Sequence, residues 1–328
     1  MTVDNTTPLS LLVRETRYEA DGVVSVCFVD PTGADLPKWK AGAHLEITLP
    51  SGLVRQYSLW SNPDDPQHYR VGVLREDRGR GGSKEIHDTG LVGRTLTVNG
   101  PRNRFELVDA PRYIFIAGGI GVTPLVPMLS RVARSDANPE WSFHYGGRSR
   151  RSMAFTGVLE RLAQSGRGGM VNFVAEDSDG ILDLRGILSA ADGETAIYCC
   201  GPGGLITAVE KLCEELGLPG LHVERFGAAP VDESVASAEN TTFEVELSTT
   251  GTTVSVGPDE SILECVRSIV PGVPASCEEG FCGTCEVRIL AGQAEHRDQI
   301  LTQAEQDANE TMFICVSRAK SPRLVLDL

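Results

Sequence analysis

The chain has 328 residues, a length typical of two or three domains rather than one. Its first ten residues are polar, unlike a secretory signal, and no run of about 20 apolar residues could span a bilayer, so we expect a soluble, cytoplasmic protein. The net charge of −15 argues against a nucleic-acid partner, and nine cysteines in a reducing compartment favour metal binding or redox work over disulfides.

Residues 1–108 have the pattern of a small antiparallel β-barrel, because short alternating runs are separated by Gly, Pro and Asp turns. Within it, "RQYSLWS" (55–61) carries groups that suit a phosphorylated cofactor. Arg55 could pair with the phosphate, and the hydroxyls of Tyr57 and Ser58 could bind other polar atoms. Alone, this motif would more simply be an ordinary strand.

A second segment of the barrel region, "GRGGSKEIHD" (79–88), precedes a helix-like stretch. Gly81, Gly82 and Ser83 offer backbone N–H groups and a hydroxyl, which together suit a phosphate. An ordinary flexible turn is the simpler interpretation of this segment taken by itself.

From residue 109 to 226 strand patterns alternate with helical ones, which predicts a parallel sheet with crossover helices. "AGGIGVTP" (117–124) follows the first strand. It is not G-x-G-x-x-G, but Gly118 and Gly119 let a pyrophosphate approach backbone amides at a helix N-terminus. Thr123 is expected to cap that helix, with Pro124 as its first residue.

Two later segments of this region are candidates for the nucleotide. "YCCGP" (198–202) ends another parallel strand, where open α/β sheets bind ligands, and Cys200 could pack beside a nicotinamide. A buried core cysteine is the alternative, and it suits Cys199 better. "GGRSRRSMAF" (146–155) follows the second strand. A ribose, a 2′-phosphate or solvent alone could account equally for its polar residues, which are Arg148, Ser149, Arg150 and Arg151.

Residues 227–240 are small, acidic and aperiodic, as in a linker, and the pattern of 241–328 differs from what precedes it. A hairpin leads into a short helix, a cysteine-rich loop, a second short helix and two strands. This unit has 14 Asp and Glu against 6 Lys and Arg, so it carries about half of the net charge in about a quarter of the length.

The cysteine-rich loop has the spacing C-x4-C-x2-C, with a fourth cysteine after a gap of 29 residues: Cys277, Cys282, Cys285 and Cys315. This is the plant-type [2Fe–2S] pattern. Gly280 and Gly283 allow the positive φ angles and close backbone approach that wrapping a cluster requires. A zinc knuckle usually needs a second C-x2-C or a histidine pair, and only His296 is near. We therefore favour an iron–sulfur cluster over zinc.

A plant-type cluster passes single electrons but cannot accept a hydride, so a converter must precede it. A flavin accepts a hydride and releases electrons one at a time. The two barrel segments are accordingly interpreted as a flavin site. Arg55 would bind its phosphate, Tyr57 its ribityl or phosphate oxygens, and Ser58 would lie near its N5 atom.

Taken in order, the motifs "RQYSL", "GRGGS", "AGGIGVTP", "YCCGP", "HVERFG", "CEEGFCGTC" and "ICVSRAKS" resemble the phthalate dioxygenase reductase family, which includes the reductase of vanillate demethylase. The resemblance covers the whole chain. It implies an FMN-binding antiparallel β-barrel (1–108), a nicotinamide-binding α/β domain with a parallel sheet (109–226) and, after the linker 227–240, a β-grasp ferredoxin domain (241–328).

The resemblance also implies a set of site residues. Phe226 would stack on the isoalloxazine where nicotinamide must arrive, and a core aromatic at a domain junction is the alternative. Ser58, Cys200 and Phe226 are the expected catalytic residues, and Cys277, Cys282, Cys285 and Cys315 the cluster ligands. The expected cofactor contacts are Arg55, Tyr57, Ser58, Leu59, Gly72, Val73, Gly81, Gly82, Ser83, Gly118, Gly119, Thr123, Arg148, Cys200, Gly201, Pro202 and Phe226.

The function that this resemblance implies is that of a monomeric reductase component in aromatic catabolism. Electrons would pass from NAD(P)H through FMN and the cluster to a separate terminal oxygenase, expected to be a Rieske non-haem iron enzyme. NADH is expected from the family habit, although "RSRR" replaces the acidic residue of NADH-specific members and leaves NADPH open. The alternatives are a cytochrome P450 partner and a zinc-stabilised, non-catalytic nucleotide-binding regulator.

Overall fold

The computed structural model describes residues 8–77, 79–165, 169–227, 240–275, 277–278, 280, 283–298 and 300–328. The chain divides into two compact units, Met1–Phe226 and Gly227–Leu328. Most of the predicted linker lies outside the described residues, and the predicted boundary at residues 108 and 109 stays a prediction. Among the described residues, no helix has the length and apolar character needed to cross a bilayer.

The first unit begins with a curled antiparallel sheet of six strands in the order β4-β3-β6-β1-β2-β5. A bridge between Leu59, just beyond β4, and Val71 on β5 joins the two edges of this sheet into a barrel. A short helix, α1 (Gly82–Asp88), follows β5. The strands are β1 (Leu9–Ala20), β2 (Val23–Val29), β3 (Ala43–Thr48), β4 (Val54–Ser58), β5 (Tyr69–Leu74) and β6 (Thr95–Asn103).

Alternation of side chains forms the barrel core, because every second residue of a strand points inward. Leu45 and Ile47 on β3 and Val71 and Val73 on β5 are wholly or almost wholly buried, and Leu59 joins them. These residues belong to one apolar cluster that fills the barrel. The predicted all-β character of this region is confirmed.

A five-stranded parallel sheet follows, in the order β11-β10-β7-β8-β9. Its strands are β7 (Arg112–Gly118), β8 (Glu140–Gly147), β9 (Gly169–Ala175), β10 (Thr195–Cys200) and β11 (Leu221–Glu224). Strand order reverses between β7 and β10, and the carboxyl ends of such a pair form the crevice where open α/β sheets bind ligands. The helices are α2 (Val122–Ala133), α3 (Thr156–Ser165), α4 (Glu176–Asp179), α5 (Leu184–Leu188) and α6 (Gly203–Leu216).

Helices cover both faces of this sheet, which explains why β7 and β10 are apolar without alternation. One core contains α2 and α3 residues such as Leu125 and Leu159, and the opposite core contains α5 and α6 residues such as Leu188 and Val209. The first of these cores also includes the barrel residues Ala20, Val23, Ala41 and Phe105.

The second unit has a mixed sheet in the order β13-β12-β18-β14-β16 and a separate β15–β17 pair. Helix α7 (Ile262–Arg267) begins with a capping box in which the Ser261 hydroxyl accepts from the Glu264 amide at 3.1 Å. Helix α8 (Gln303–Ala308) begins in the same way at Thr302. The strands are β12 (Phe243–Leu247), β13 (Thr252–Val256), β14 (Glu286–Ala291), β15 (Ala294–Glu295), β16 (Thr311–Phe313), β17 (Arg318–Ala319) and β18 (Arg323–Leu326). The three predicted fold types are confirmed.

Candidate redox site

The predicted phosphate end lies where β4 meets helix α1. The Arg55 side chain crosses the start of α1 so closely that a Cβ on Gly82 would come within 2.6 Å of its Cγ. Its guanidinium donates to the carbonyl of Arg80 at 2.8 Å. Gly81 has a φ of 87°, a conformation that favours glycine, and the Ser83 hydroxyl accepts from the Glu76 amide at 3.0 Å. The structure thus brings all four predicted phosphate contacts together.

The predicted contacts near the flavin ring lie along the same strand and the neighbouring β5. Tyr57 is half-buried, and burial raises the pKa of its hydroxyl, so the hydroxyl acts as a neutral hydrogen-bonding group. The side chains of Leu59 and Val73 lie in the barrel core, which leaves their backbone for any cofactor contact. Above Gly72 the space is filled by protein, because a Cβ there would approach the Thr123 methyl group at 2.8 Å.

Ser58 ends β4 and meets the parallel sheet. Its hydroxyl donates to a carboxyl oxygen of Glu224 at 3.3 Å, across 166 positions of sequence. Glu224 is the last residue of β11 and is paired in register with Cys200, the last residue of β10. Ser58, Cys200 and Glu224 are therefore brought together from three strands at the carboxyl edge of the sheet.

Glu224 is a functional candidate that the sequence analysis missed. Glu224 is half-buried, and desolvation raises the pKa of its carboxyl to about 8, although the Ser58 hydroxyl acts in the opposite direction. The group is therefore mostly protonated at neutral pH and can donate a proton. Its signal was present in "HVERFG", but only the phenylalanine of that motif was interpreted.

Cys200 is completely buried, as is Cys199. Burial raises the pKa of the Cys200 thiol well above its usual value, so the group is a neutral thiol. The core alternative therefore describes both cysteines in this structure. A contact between Cys200 and nicotinamide stays a prediction.

The loops after β7 and β10 interlock through glycines. A Cβ on Gly121 would lie 2.2 Å from the Cys200 carbonyl oxygen, and one on Gly201 would lie 2.9 Å from the Gly118 Cα. A Cβ on Gly118 would also meet Pro202 at 2.7 Å. Gly119 has a φ of 52° and open space where its Cβ would be. The predicted pyrophosphate contacts therefore converge at the crevice between β7 and β10.

The predicted capping role of Thr123 is wrong. A 3₁₀ turn at Gly119–Gly121 leads directly into α2, so the helix begins at Val122 with Gly121 as its N-cap. Thr123 lies inside the first turn, and its hydroxyl donates to the Ile120 carbonyl at 2.9 Å. Pro124 is tolerated there because the first N–H groups of a helix have no intrahelical partner.

The side chains of the "RSRR" segment, residues 148–151, contact different parts of the first unit. The Arg150 guanidinium lies 4.1 Å above the Phe173 ring and pairs with Glu160 at 3.5 Å. Arg151 pairs with Asp21 of the barrel at 3.1 Å. Ser149 caps the short turn that follows it. Arg148 is exposed, and its carbonyl accepts from the Asp177 amide at 3.2 Å.

Phe226 ends the first unit and is 39% exposed, which argues against the core alternative. The segment that carries it is anchored by Arg225, whose guanidinium donates to both carboxylate oxygens of Glu210 on α6 at 2.7 Å. This ion pair also fixes the neighbouring Glu224 at the end of β11. The stacking of Phe226 on a flavin stays a prediction.

The cysteine-rich loop brings three of its predicted ligands together. The side chains of Cys277 and Cys285 both hydrogen-bond that of Cys315, and all three are buried. Gly280 and Gly283 each have a φ of 73°, as predicted. Cys282 lies outside the described residues. Buried, converging thiols in a glycine-containing wrap fit a cluster that needs thiolate ligands.

Two family models match the chain. One is described as "Oxidoreductase NAD-binding domain" and matches residues 115–211, and the other is "2Fe-2S iron-sulfur cluster binding domain" and matches residues 245–320. The first covers the crevice between β7 and β10, and the second includes all four predicted cluster cysteines.

Curated proteins match along almost the full chain. The phenoxybenzoate dioxygenase subunit beta of Ectopseudomonas oleovorans is 38% identical over 98% of both chains, and the vanillate O-demethylase oxidoreductase of a Pseudomonas strain is 37% identical over 98% of this chain and 100% of its own. The solved phthalate dioxygenase reductase, titled as a modular structure for electron transfer from pyridine nucleotides to [2Fe–2S], is 34% identical with a TM-score of 0.71 over 98% of both chains. The chain belongs to the phthalate dioxygenase reductase family.

As a member of the phthalate dioxygenase reductase family, the chain is an electron-transfer oxidoreductase whose cofactors are FMN, a [2Fe–2S] cluster and a nicotinamide nucleotide. Another solved structure, an intact type IV self-sufficient cytochrome P450 monooxygenase, is 38% identical with a TM-score of 0.84 over 99% of this chain. The chain spans 41% of that larger protein.

Proposed function

We propose that this chain is the reductase component of a Rieske-type oxygenase system, and that it delivers electrons from NAD(P)H to a separate oxygenase. The observation that carries the proposal is the hydrogen bond from Ser58 to Glu224, because it joins the barrel strand to the carboxyl edge of the nucleotide sheet. A phthalate 4,5-dioxygenase oxygenase reductase subunit and a vanillate O-demethylase oxidoreductase are among the relatives of this chain, and they support the choice of partner.

The residues of the barrel fit an FMN, since the two glycines Gly81 and Gly82 lie beside Arg55 at the start of α1. Arg55, with Gly81, Gly82 and Ser83, would hold its phosphate, and Tyr57 its ribityl oxygens. When bound, FMN supplies hydride acceptance and single-electron release. Ser58 and the protonated Glu224 would hold a proton beside the reacting ring.

We propose that NADH is the preferred donor. Arg150 and Arg151 are engaged with Phe173, Glu160 and Asp21, so a 2′-phosphate would have to break these contacts to recruit them. Arg148 has no such side-chain contact among the described residues, and it would serve the adenosine ribose. Steady-state kcat/KM for NADH and NADPH with ferricyanide measures this preference directly.

The test of the whole proposal starts from the purified protein. We expect flavin and iron–sulfur absorption, two iron and two acid-labile sulfide per chain, and NADH-dependent reduction of ferricyanide and cytochrome c. A colourless protein that contains zinc would overturn the proposal and favour the non-catalytic regulator.

A second candidate partner is a cytochrome P450, favoured by the likeness to the self-sufficient monooxygenase. Reduction of a purified Rieske oxygenase and of a purified P450 by this chain, each at low and high salt, separates the two candidates. The acidic second unit predicts that the true partner presents a basic face and loses affinity as salt rises.

A further inference from the structure

An aromatic contact between the barrel and the nucleotide sheet involves Trp60, Gly72, Thr123 and Phe155, here called the junction cluster. The Trp60 and Phe155 ring centroids lie 4.4 Å apart with an interplanar angle of 35°. A Cβ on Gly72 would meet the Thr123 methyl group at 2.8 Å and the Phe155 ring at 3.1 Å. Two barrel residues thus contact two residues of the nucleotide domain with no room for another side chain.

Phe155 holds an unusual backbone conformation. Its φ is 61°, in the left-handed region that is a genuine outlier for a bulky residue. Its carbonyl accepts from the amides of Val158 and Leu159 at 3.0 and 3.1 Å, so the same residue starts α3 while its ring turns towards the barrel. Such conformations persist only where the surroundings over-determine them, and they concentrate at functional sites.

A second contact lies four residues earlier in the same segment. The Asp21 amide, in the β1–β2 turn of the barrel, donates to the Arg151 carbonyl at 2.9 Å, and the two side chains form an ion pair at 3.1 Å. The segment 151–155 is therefore held against the barrel at both ends. These contacts give residues 151–155 of "GGRSRRSMAF" a role in holding the barrel, whereas Arg148 in the first part of the segment is proposed to bind the ribose.

Two members of the junction cluster lie next to the proposed cofactor sites. Trp60 lies two residues beyond Ser58, the last residue of β4 (here called the flavin strand), and its amide donates to the Arg70 carbonyl of β5 at 3.0 Å. Thr123 lies in the first turn of α2, directly after the turn Gly119–Gly121 at the nucleotide crevice, here called the nicotinamide loop. A shift of the Phe155 ring would therefore move the flavin strand relative to the nicotinamide loop.

We propose that Phe155 is a positioning residue that, through Trp60 and Gly72, sets the separation between the flavin strand and the nicotinamide loop. The inference rests on the proposed function. Misplacement of reacting groups by about 1 Å can cost about a hundredfold in rate. A partial loss of the contacts in the junction cluster should therefore lower the rate by about tenfold. The adenosine half of the dinucleotide should be unaffected, because it would bind within the nucleotide domain alone.

The test uses the full-length, cofactor-loaded protein and the variants Phe155→Leu, Trp60→Leu and Gly72→Ala. We expect kcat for NADH-dependent ferricyanide reduction to fall about tenfold per bound flavin, with AMP affinity within about twofold of wild type. Trp60→Phe, which keeps an aromatic ring, should retain most of the rate. In the protein stripped of cofactors, hydrogen exchange at residues 69–74 and 122–126 should speed up in Phe155→Leu.

Asn138→Gly is the matched control, because Asn138 has a φ of 46° but lies in the turn before β8, away from the junction. It should change neither kcat nor exchange at the junction. A wild-type kcat in both Phe155→Leu and Gly72→Ala, whatever their melting temperatures, would mean that the junction cluster only contributes to packing. That result would overturn the inference. A wild-type chain that cannot oxidise NADH with ferricyanide would instead overturn the proposed function.

Discussion

The two candidate redox centres are held by opposite kinds of structure. The thiols of Cys277, Cys285 and Cys315 converge within one unit, and two of them belong to a single short loop. The proposed hydride site draws Ser58 from the barrel and Cys200 and Glu224 from the parallel sheet. The cluster therefore depends on local loop geometry, whereas the hydride site depends on how two domains pack.

The strongest way to break this comparison is to remove a cluster ligand. Cys285→Ser should abolish the cluster while FMN remains bound, because the residues proposed to bind the flavin lie in the other unit. We expect loss of cytochrome c reduction and retention of ferricyanide reduction, with iron and acid-labile sulfide falling to background. Cys265→Ser, on α7, is the control and should keep full iron content. Surviving cytochrome c reduction in Cys285→Ser would refute this route for the electrons.

The carboxyl of Glu224 in the proposed hydride site should make the free energy of unfolding depend on pH. Because the pKa of Glu224 is raised to about 8 in the folded protein, the folded state holds a proton that the unfolded state releases above its ordinary pKa of 4.5. The free energy of unfolding should therefore fall as pH rises between about 5 and 8, by up to about 1.4 kcal/mol per pH unit from this group.

Glu224→Gln should remove that slope, and urea unfolding at several pH values measures it. Glu214→Gln is the control, since Glu214 is an exposed glutamate on α6. Equal slopes in Glu224→Gln and the wild type would mean that the carboxyl is ionised in the folded protein. The proton-holding role would then be lost, although the cluster prediction would stand.

A smaller effect is expected at the phosphate end. Arg55→Ala should weaken FMN binding by about ten- to a hundredfold, since a charge-assisted contact contributes roughly 1.5–3 kcal/mol. Flavin retained after gel filtration gives the measurement, and iron content should not change. Arg80→Ala is the matched control, because it removes a neighbouring positive charge but keeps the carbonyl that Arg55 contacts.

The smallest effect concerns Phe226. If its ring covers the flavin, Phe226→Ala removes a competitor of nicotinamide, and NAD⁺ should bind more tightly by up to about 1.5 kcal/mol. Its exposed position predicts little loss of melting temperature. Unchanged or weaker NAD⁺ binding, together with a large fall in melting temperature, would assign the residue to packing alone.

The difference between the centres also explains what could be predicted from the sequence. The cluster could be predicted because three of its four cysteines lie within nine residues, with glycines between them: Cys277, Cys282, Cys285 and, further on, Cys315. Ser58 and Glu224 are 166 positions apart, so no spacing rule links them before the fold is known. Strand–helix alternation predicted the parallel sheet, and with it the crevice at β7 and β10.

The errors and omissions have equally local causes. The Thr-Pro pair at Thr123 is a good cap signal, but a 3₁₀ turn starts the helical path earlier and moves the cap to Gly121. Phe155 has no sequence signal, because its role depends on a φ of 61° and on a ring from another domain. Aromatic contacts between domains leave no periodicity to interpret.

The apolar core shared by the barrel and the nucleotide domain has a consequence for folding. Ala20, Val23, Ala41 and Phe105 of the barrel are buried in one cluster with Leu125 and Phe143. Neither domain can unfold without exposing the apolar surface of the other, so the first unit should melt in one cooperative transition. If the chain were cut at residue 108, each fragment would expose an apolar surface that the other normally covers. The barrel and the nucleotide domain should therefore aggregate when they are expressed separately.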